Sequence, residues 1–173
     1  MVDAGTVLET ERLVLRRFGT DDADAAFIVE LVNEPAWLRF IGDKGVRTID
    51  DARNYIANGP LAMYQRYGFG LYLAVLKETG ESIGMCGLIK RDALADVDLG
   101  FAFLPAFRGR GYAFEAATAV KEYGIRVFGL QRLLAVTSQE NEVSSKLLEK
   151  LGFRFERLAR LTPDGPELKV YSN

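Results

Sequence analysis

Between Arg108 and Ala113 the chain runs Arg-Gly-Arg-Gly-Tyr-Ala, a spacing of cations and glycines suited to holding a bulky anion. Gly109 and Gly111 lack a Cβ, so the backbone there can come close to a ligand. Helical periodicity begins at once with Tyr112 and Ala113. The first turn of a helix leaves about four N–H groups unpaired, and its dipole favours negative charge. Arg108 and Arg110 set fixed positive charge beside those amides. The chemistry implied is the binding of a phosphate or pyrophosphate; the alternative is a surface turn with chance glycines. A Walker loop needs Lys and then Ser or Thr after its last glycine, and Gly111 is followed by Tyr112. A dinucleotide fingerprint needs a small residue where Phe114 stands.

The elements that must position this loop are readable on both sides of it. Val97, Leu99, Phe101 and Phe103 alternate with Asp98, Gly100, Ala102 and Leu104, the period of a strand, and Pro105 ends it. After the loop, Ala113, Ala116, Ala117, Val120, Tyr123 and Val127 form the predicted buried stripe of a helix. A strand follows over 132–138, so strand, helix and strand can make a parallel βαβ unit. Asn141 to Leu151 reads as a further helix, with Gly152 at its C-cap and Phe153 folding back on Leu148. Upstream, 69–76 and 81–90 are strands joined through Lys77-Glu78-Thr79-Gly80, and 92–96 is a polar turn. Three successive antiparallel strands therefore lead into the loop, which excludes a doubly wound arrangement. Nearer the N-terminus, 12–18 is a first strand. A helix capped by Thr20 or Asp21 runs to about Asn33, with Ala23, Phe27 and Leu31 on its stripe. Residues 36–41 make a short second helix after Pro35. Another helix opens at Asp50 and Asp51, and Gly59-Pro60 kinks or splits it. Two closing strands, 153–161 and 167–171, flank the turn Thr162-Pro163-Asp164-Gly165.

The pattern Arg108-x-x-Gly111-x-Ala113 resembles the acyl-CoA pyrophosphate loop of the GNAT superfamily of N-acetyltransferases. The longer string Asp98-Leu99-Gly100-Phe101, Pro105, Arg108 to Ala113 and Glu115-Ala116 is similar to the branch that acetylates ribosomal-protein N-termini. A second string, Asn141, Ser144, Leu148, Lys150, Gly152 and Phe153, resembles the same proteins at the expected distance. With the order of elements, the likeness covers residues 13–171. It implies an α+β fold: a mixed, mostly antiparallel sheet of six or seven strands, helices on both faces, and a CoA cleft between strands 97–104 and 132–138. It also implies acetyl-CoA as cosubstrate, no metal, a primary amine as acceptor (a protein N-terminus or a small amine), and a homodimer. Backbone groups of Phe101, Ala102 and Phe103 would meet the thioester and pantetheine, Asn141 would contact pantetheine, and 108–113 would hold the pyrophosphate. Trp37, Phe40, Tyr64 and Tyr67 could line the acceptor cleft or simply fill the core.

The chemistry then needs a proton acceptor for the amine and a donor for the departing thiolate. Asp98 stands where the ribosomal branch carries a glutamate. Its arm is one methylene shorter, so a base role would run through water. The alternative is a solvated strand-end residue. The tyrosine that many superfamily members use for the thiolate is replaced by Leu148, which leaves Ser144 as the candidate donor. Ser144 could equally be a helix-start hydrogen-bonding residue, Asn141 an N-cap, and Arg110 a solvated charge. Glu115 reads as a structural stabiliser of the helix start.

Composition sets the outer limits. The chain has 173 residues, 49% of them hydrophobic, which suits a single domain over 1–173. A net charge of −2 gives no basic footprint for nucleic acid. There is no histidine, which excludes His-based triads and His-ligated zinc. The lone Cys86 cannot form an internal disulfide and suits a reducing cytosol. The first residues hold no apolar leader core, and no apolar run reaches membrane-spanning length. Two function classes stay open: an acetyl-CoA-dependent N-acetyltransferase, and a non-catalytic acyl-CoA-binding module of the same fold.

Overall fold

The computed structural model describes residues 5–173; the first four residues of the amino-terminal stretch read above lie outside the described residues. Eight strands form one sheet in the order β1-β2-β3-β4-β5-β6-β8-β7. They are β1 (Thr6–Glu9), β2 (Leu13–Arg16), β3 (Leu71–Leu76), β4 (Ser82–Ile89), β5 (Asp98–Phe103), β6 (Leu134–Ser138), β7 (Arg154–Arg160) and β8 (Glu167–Ser172). Neighbours are antiparallel except β5 and β6, which are parallel. The mixed sheet and α+β class are as predicted, with eight strands rather than six or seven. The addition is β1, whose four residues and register shift between Thr6 and Leu8 leave too little alternation to read.

β4 is apolar on both faces because both are covered, and its six central residues are buried. Leu73, Met85 and Leu104 meet Ala25, Ile28, Leu31, Trp37, Ala52 and Ile56. These come from α1 (Asp22–Val32), α2 (Pro35–Phe40) and α3 (Ile49–Ile56). Tyr72, Ala74, Cys86, Leu88 and Leu99 meet Ala116, Ala117 and Val120 of α5 (Tyr112–Phe128) on the other face. Gly87 allows β4 to lie against residue 70, since an added Cβ would stand 2.0 Å from Gly70 O.

Asp21 caps α1, accepting from Asp24 N at 2.9 Å. Ala23 is exposed; the inward stripe is Ala25, Phe27, Ile28, Leu31 and Val32. The split predicted at Gly59-Pro60 is a π-helical turn, Ala57–Leu61, leading into α4 (Ala62–Tyr67). Proline has no N–H and displaces the carbonyl four residues back, so a wider turn absorbs it. On α5 the sequence stripe overshoots: Val127 is exposed and Gly124 is buried in its place, against Leu88 and Leu130. The 92–96 turn is not wholly polar, since Leu94 is buried with Leu134 and Val170.

Candidate active site

β5 and β6 touch and then part. Asp98 opposite Leu134 is the only register pair between them among the described residues, and Leu134 N donates to Val97 O at 2.9 Å. On its other side β5 is laddered to β4 along its whole length. Leu104 N donates to Ile83 O, so by antiparallel alternation Ala102 and Gly100 also spend their backbone groups on β4. Phe101 and Phe103 turn theirs to the gap, and Phe103 O is taken by Arg108 Nε at 3.1 Å. Of the three residues predicted to offer backbone groups, Phe101 keeps both free, Phe103 keeps its N–H, and Ala102 is committed to the ladder. Val136 faces the gap from β6 by the same alternation.

The glycine loop sits beyond the end of β5. A 3-10 turn, Pro105–Phe107, ends the strand, and α5 starts after Gly111. Gly109 and Gly111 have φ of +74° and +84°, a region open to glycine at little cost. The first helical bond runs from Glu115 N to Gly111 O, and no side chain caps the amides of Tyr112, Ala113 and Phe114. An uncapped helix start behind a glycine turn fits an anion.

The arginines divide. Arg110 is exposed, with its guanidinium near the Phe107 ring. Arg108 is not a free charge: it binds Phe103 O and pairs with Glu34 at 2.9 Å, tying the loop to the start of α2. Glu115 accepts from Thr10 Oγ1, Arg12 N and Arg12 Nε at 2.5–2.9 Å, while Arg12 Nη1 donates to Arg110 O. Against desolvation, those hydrogen bonds hold the Glu115 carboxyl below the usual carboxylate range. Its structural role is as the sequence implies, though the partners lie a hundred residues away.

A cavity of about 850 Å³ runs from the gap to the helices on the α1–α3 face. Asp98, Phe101, Ala102, Asn141 and Ser144 all line it, whereas residues 108–113 do not. Trp37 and Phe40 line it as predicted. Tyr64 and Tyr67 do not, because their rings are used in packing. Tyr64 stacks on Tyr72 and its hydroxyl bridges Phe18 N and Leu71 O, while Tyr67 stacks on Phe69.

Asp98 is no solvated strand end. Its side chain is 0% exposed, Oδ1 accepts from Arg91 Nε at 3.0 Å, and buried Oδ2 has no partner among the described residues. Burial pushes its carboxyl above the usual range, and the Arg91 guanidinium only partly opposes this. On the facing side, Asn141 caps α6 (Glu142–Lys150) by accepting from Ser144 N at 3.1 Å. The Ser144 hydroxyl makes no hydrogen bond among the described residues. Leu148 is buried in the core, as an apolar side chain in the tyrosine's place must be.

Two charged cavity residues were not singled out by the sequence: Lys44 lies in the loop before α3 and Arg91 in the β4–β5 turn, while the Trp37 indole N–H is buried without an acceptor among the described residues. Arg91 was findable, since a hairpin that pairs Ile89 with Asp98 brings the turn cation over that carboxylate. Lys44 left no local signal.

Residues 12–154 match the model of the acetyltransferase (GNAT) domain family. The chain belongs to that family. It is 31% identical over 156 residues to the uncharacterised N-acetyltransferase YoaA of Bacillus subtilis (strain 168), covering 89% of this chain and 86% of that one. An acetyltransferase structure from Agrobacterium tumefaciens is 29% identical with a TM-score of 0.76, covering 96% of this chain and 92% of the other. RimL, a ribosomal α-N-protein acetyltransferase in complex with coenzyme A, superposes with a TM-score of 0.79 over 97% of each chain. At 18% identity, it attests the acetyltransferase fold alone.

Proposed function

We propose that this acetyltransferase uses acetyl-CoA and moves the acetyl group to a primary amine, by direct attack in a ternary complex. The observation that carries the reading is the parting of β5 and β6. It leaves Phe101 N–H unpaired between the uncapped start of α5 and the buried Asp98. The amides of Gly111, Tyr112 and Ala113, with Gly109 giving clearance and Arg110 adding charge, would take the pyrophosphate. The pantetheine arm would enter the gap, extending β5 through Phe101 and passing Val136 and the Asn141 cap. RimL, solved with coenzyme A, supports this ligand by likeness.

The amine nitrogen attacks the thioester carbonyl, and negative charge grows on the carbonyl oxygen. The Phe101 N–H is positioned to meet it. The N–C bond forms, the C–S bond breaks, and the amine proton passes to Asp98 Oδ2 through a water. The thiolate takes a proton from the Ser144 hydroxyl or from solvent. A carboxylate with a raised pKa is the stronger base, and an α-amine titrating near ~8 asks for modest help.

Acetyl-CoA at millimolar concentration should raise Tm, because a ligand of the native state stabilises it by mass action. Free thiol should appear with at least one member of a panel of amino acids, N-terminal peptides, polyamines and aminoglycosides. No shift in Tm removes the cofactor assignment. A shift without thiol release from any amine leaves the non-catalytic module.

A further inference from the structure

The acceptor end of the cavity is charged in a pattern that specifies more than an amine. Four charged side chains line it: Lys44, Asp51, Arg91 and Asp98. Asp51 is turned back on its own helix, where Oδ2 accepts from Arg47 N at 3.0 Å and Thr48 N at 3.1 Å. Arg91 gives only Nε to Asp98; its two terminal amino groups have no acceptor among the described residues. Lys44 makes neither a hydrogen bond nor an ion pair among them. Trp37, 5% exposed, adds an indole N–H with no acceptor among the described residues. The charged side chains thus leave two carboxylate oxygens without a hydrogen bond among the described residues, Asp98 Oδ2 and Asp51 Oδ1, and with Trp37 three donors, two of them cationic. Crowding by protein and the nearby Arg91 charge both hold the Lys44 ammonium below its ordinary pKa, the state an anion would relieve.

We propose that the acceptor is a free amino acid with an apolar side chain, its amine held to Asp98 through a water and its carboxylate on Arg91, Lys44 and Trp37. This rests on the acetyltransferase reading and names the substrate class. The spacing fits. Asp98 Oδ1 and Arg91 Nε are 3.0 Å apart, so the two groups lie side by side. An amino acid holds its own amine and carboxylate just two bonds apart, through Cα. Met63, Leu71 and Met85 supply apolar wall for the side chain. A polyamine or aminoglycoside would meet the unpaired Lys44 ammonium and the free terminal amino groups of Arg91, an arrangement that disfavours it. A peptide N-terminus would present a neutral carbonyl to donors placed for a charge.

Trp37 is the single tryptophan of the chain, so its emission reads this cavity without any turnover. The test titrates L-leucine and L-phenylalanine against L-leucinamide and L-phenylalaninamide, with and without saturating CoA. Spermine, a short Ala-rich peptide and 2-aminoethyl phosphate are parallel probes. The acids should bind saturably, and roughly 10- to 100-fold more tightly than their amides, the worth of charged hydrogen bonds. Lys44→Gln should shrink the acid-to-amide ratio by about tenfold, and kcat/KM in thiol release should follow the same ratio. Amides that match the acids, or spermine, peptide or aminoethyl phosphate that binds more tightly, overturn the proposal. A ratio unmoved by Lys44→Gln overturns the carboxylate site. The outcome is separable from the broader reading. Thiol release with peptides but not amino acids sinks this inference alone, whereas absence of an acetyl-CoA shift in Tm sinks the acetyltransferase reading while the Trp37 titration still reports.

Discussion

At the scale of single residues, Asp98 carries the largest consequence. A carboxyl that is 0% exposed with one unpartnered oxygen is costly to ionise, so its folded pKa lies above the ordinary value. Its protonated form therefore stabilises the fold at acid pH, and that contribution is lost as pH rises through the raised pKa. Asp98→Asn keeps an acceptor for Arg91 and removes the titration. The variant should melt roughly 2–4 °C above the parent at pH 8, with the gap closing towards pH 4. Its kcat should fall by ~10²–10⁴, and less at high pH, where more of the amine arrives deprotonated. A variant that is fully active, or that melts lower at pH 8 than the parent, removes Asp98 as a strained base. The identity of Asp98 was legible because it sits in a string resembling a family; its burial was not. A strand-end aspartate reads as solvated until Arg91, seven residues upstream, is placed over it.

At the scale of elements, the loop and α5 behave as one piece, and Glu115 fastens it. Without Glu115 the Thr10 hydroxyl and Arg12 lose their shared acceptor, and Arg12 no longer holds Arg110 O in place. Glu115→Ala should cost about 2 kcal/mol and lower Tm by roughly 4–8 °C. It should also weaken the acetyl-CoA-induced shift in Tm, because the anion-binding turn loses its anchor. Glu115 has a lowered folded pKa, so its contribution is present above the ordinary carboxylate pKa and fades as pH falls through the folded value. The difference in Tm between variant and parent should therefore vanish at strongly acid pH. A difference constant with pH would show that the carboxylate charge is not what holds the loop. Helix and strand positions were largely readable, since periodicity and proline are local signals. Stripes failed at their ends: Ala23 and Val127 are exposed because a helix at its terminus leaves the sheet it packs on. The arginines failed differently, because Arg108 is drawn to Glu34, seventy-four positions away, and only the folded chain brings them together.

For the whole molecule, the sheet is two laddered parts joined where β5 and β6 meet at one pair, bridged by α5. That topology and the β5–β6 side of the cavity were legible from element order and family likeness, whereas the charged groups at its other end were not. Lys44 and Arg91 read locally as loop and turn, and only the fold brings them beside Trp37, Asp98 and Ser144, from segments spread over more than a hundred positions. The join makes a prediction about backbone protection. Neighbouring residues of β5 should differ sharply although both lie inside an eight-stranded sheet. Ala102 N–H is spent on β4 and should exchange slowly, while Phe101 N–H faces the gap and should exchange faster by orders of magnitude. Saturating acetyl-CoA should slow Phe101 and leave Ala102 nearly unchanged, because the thioester carbonyl takes the Phe101 N–H without touching the β4 side. Amide exchange followed by NMR resolves the pair. Equal protection at both positions in the free protein would mean that β5 and β6 close in solution, and the gap could not then receive the cofactor.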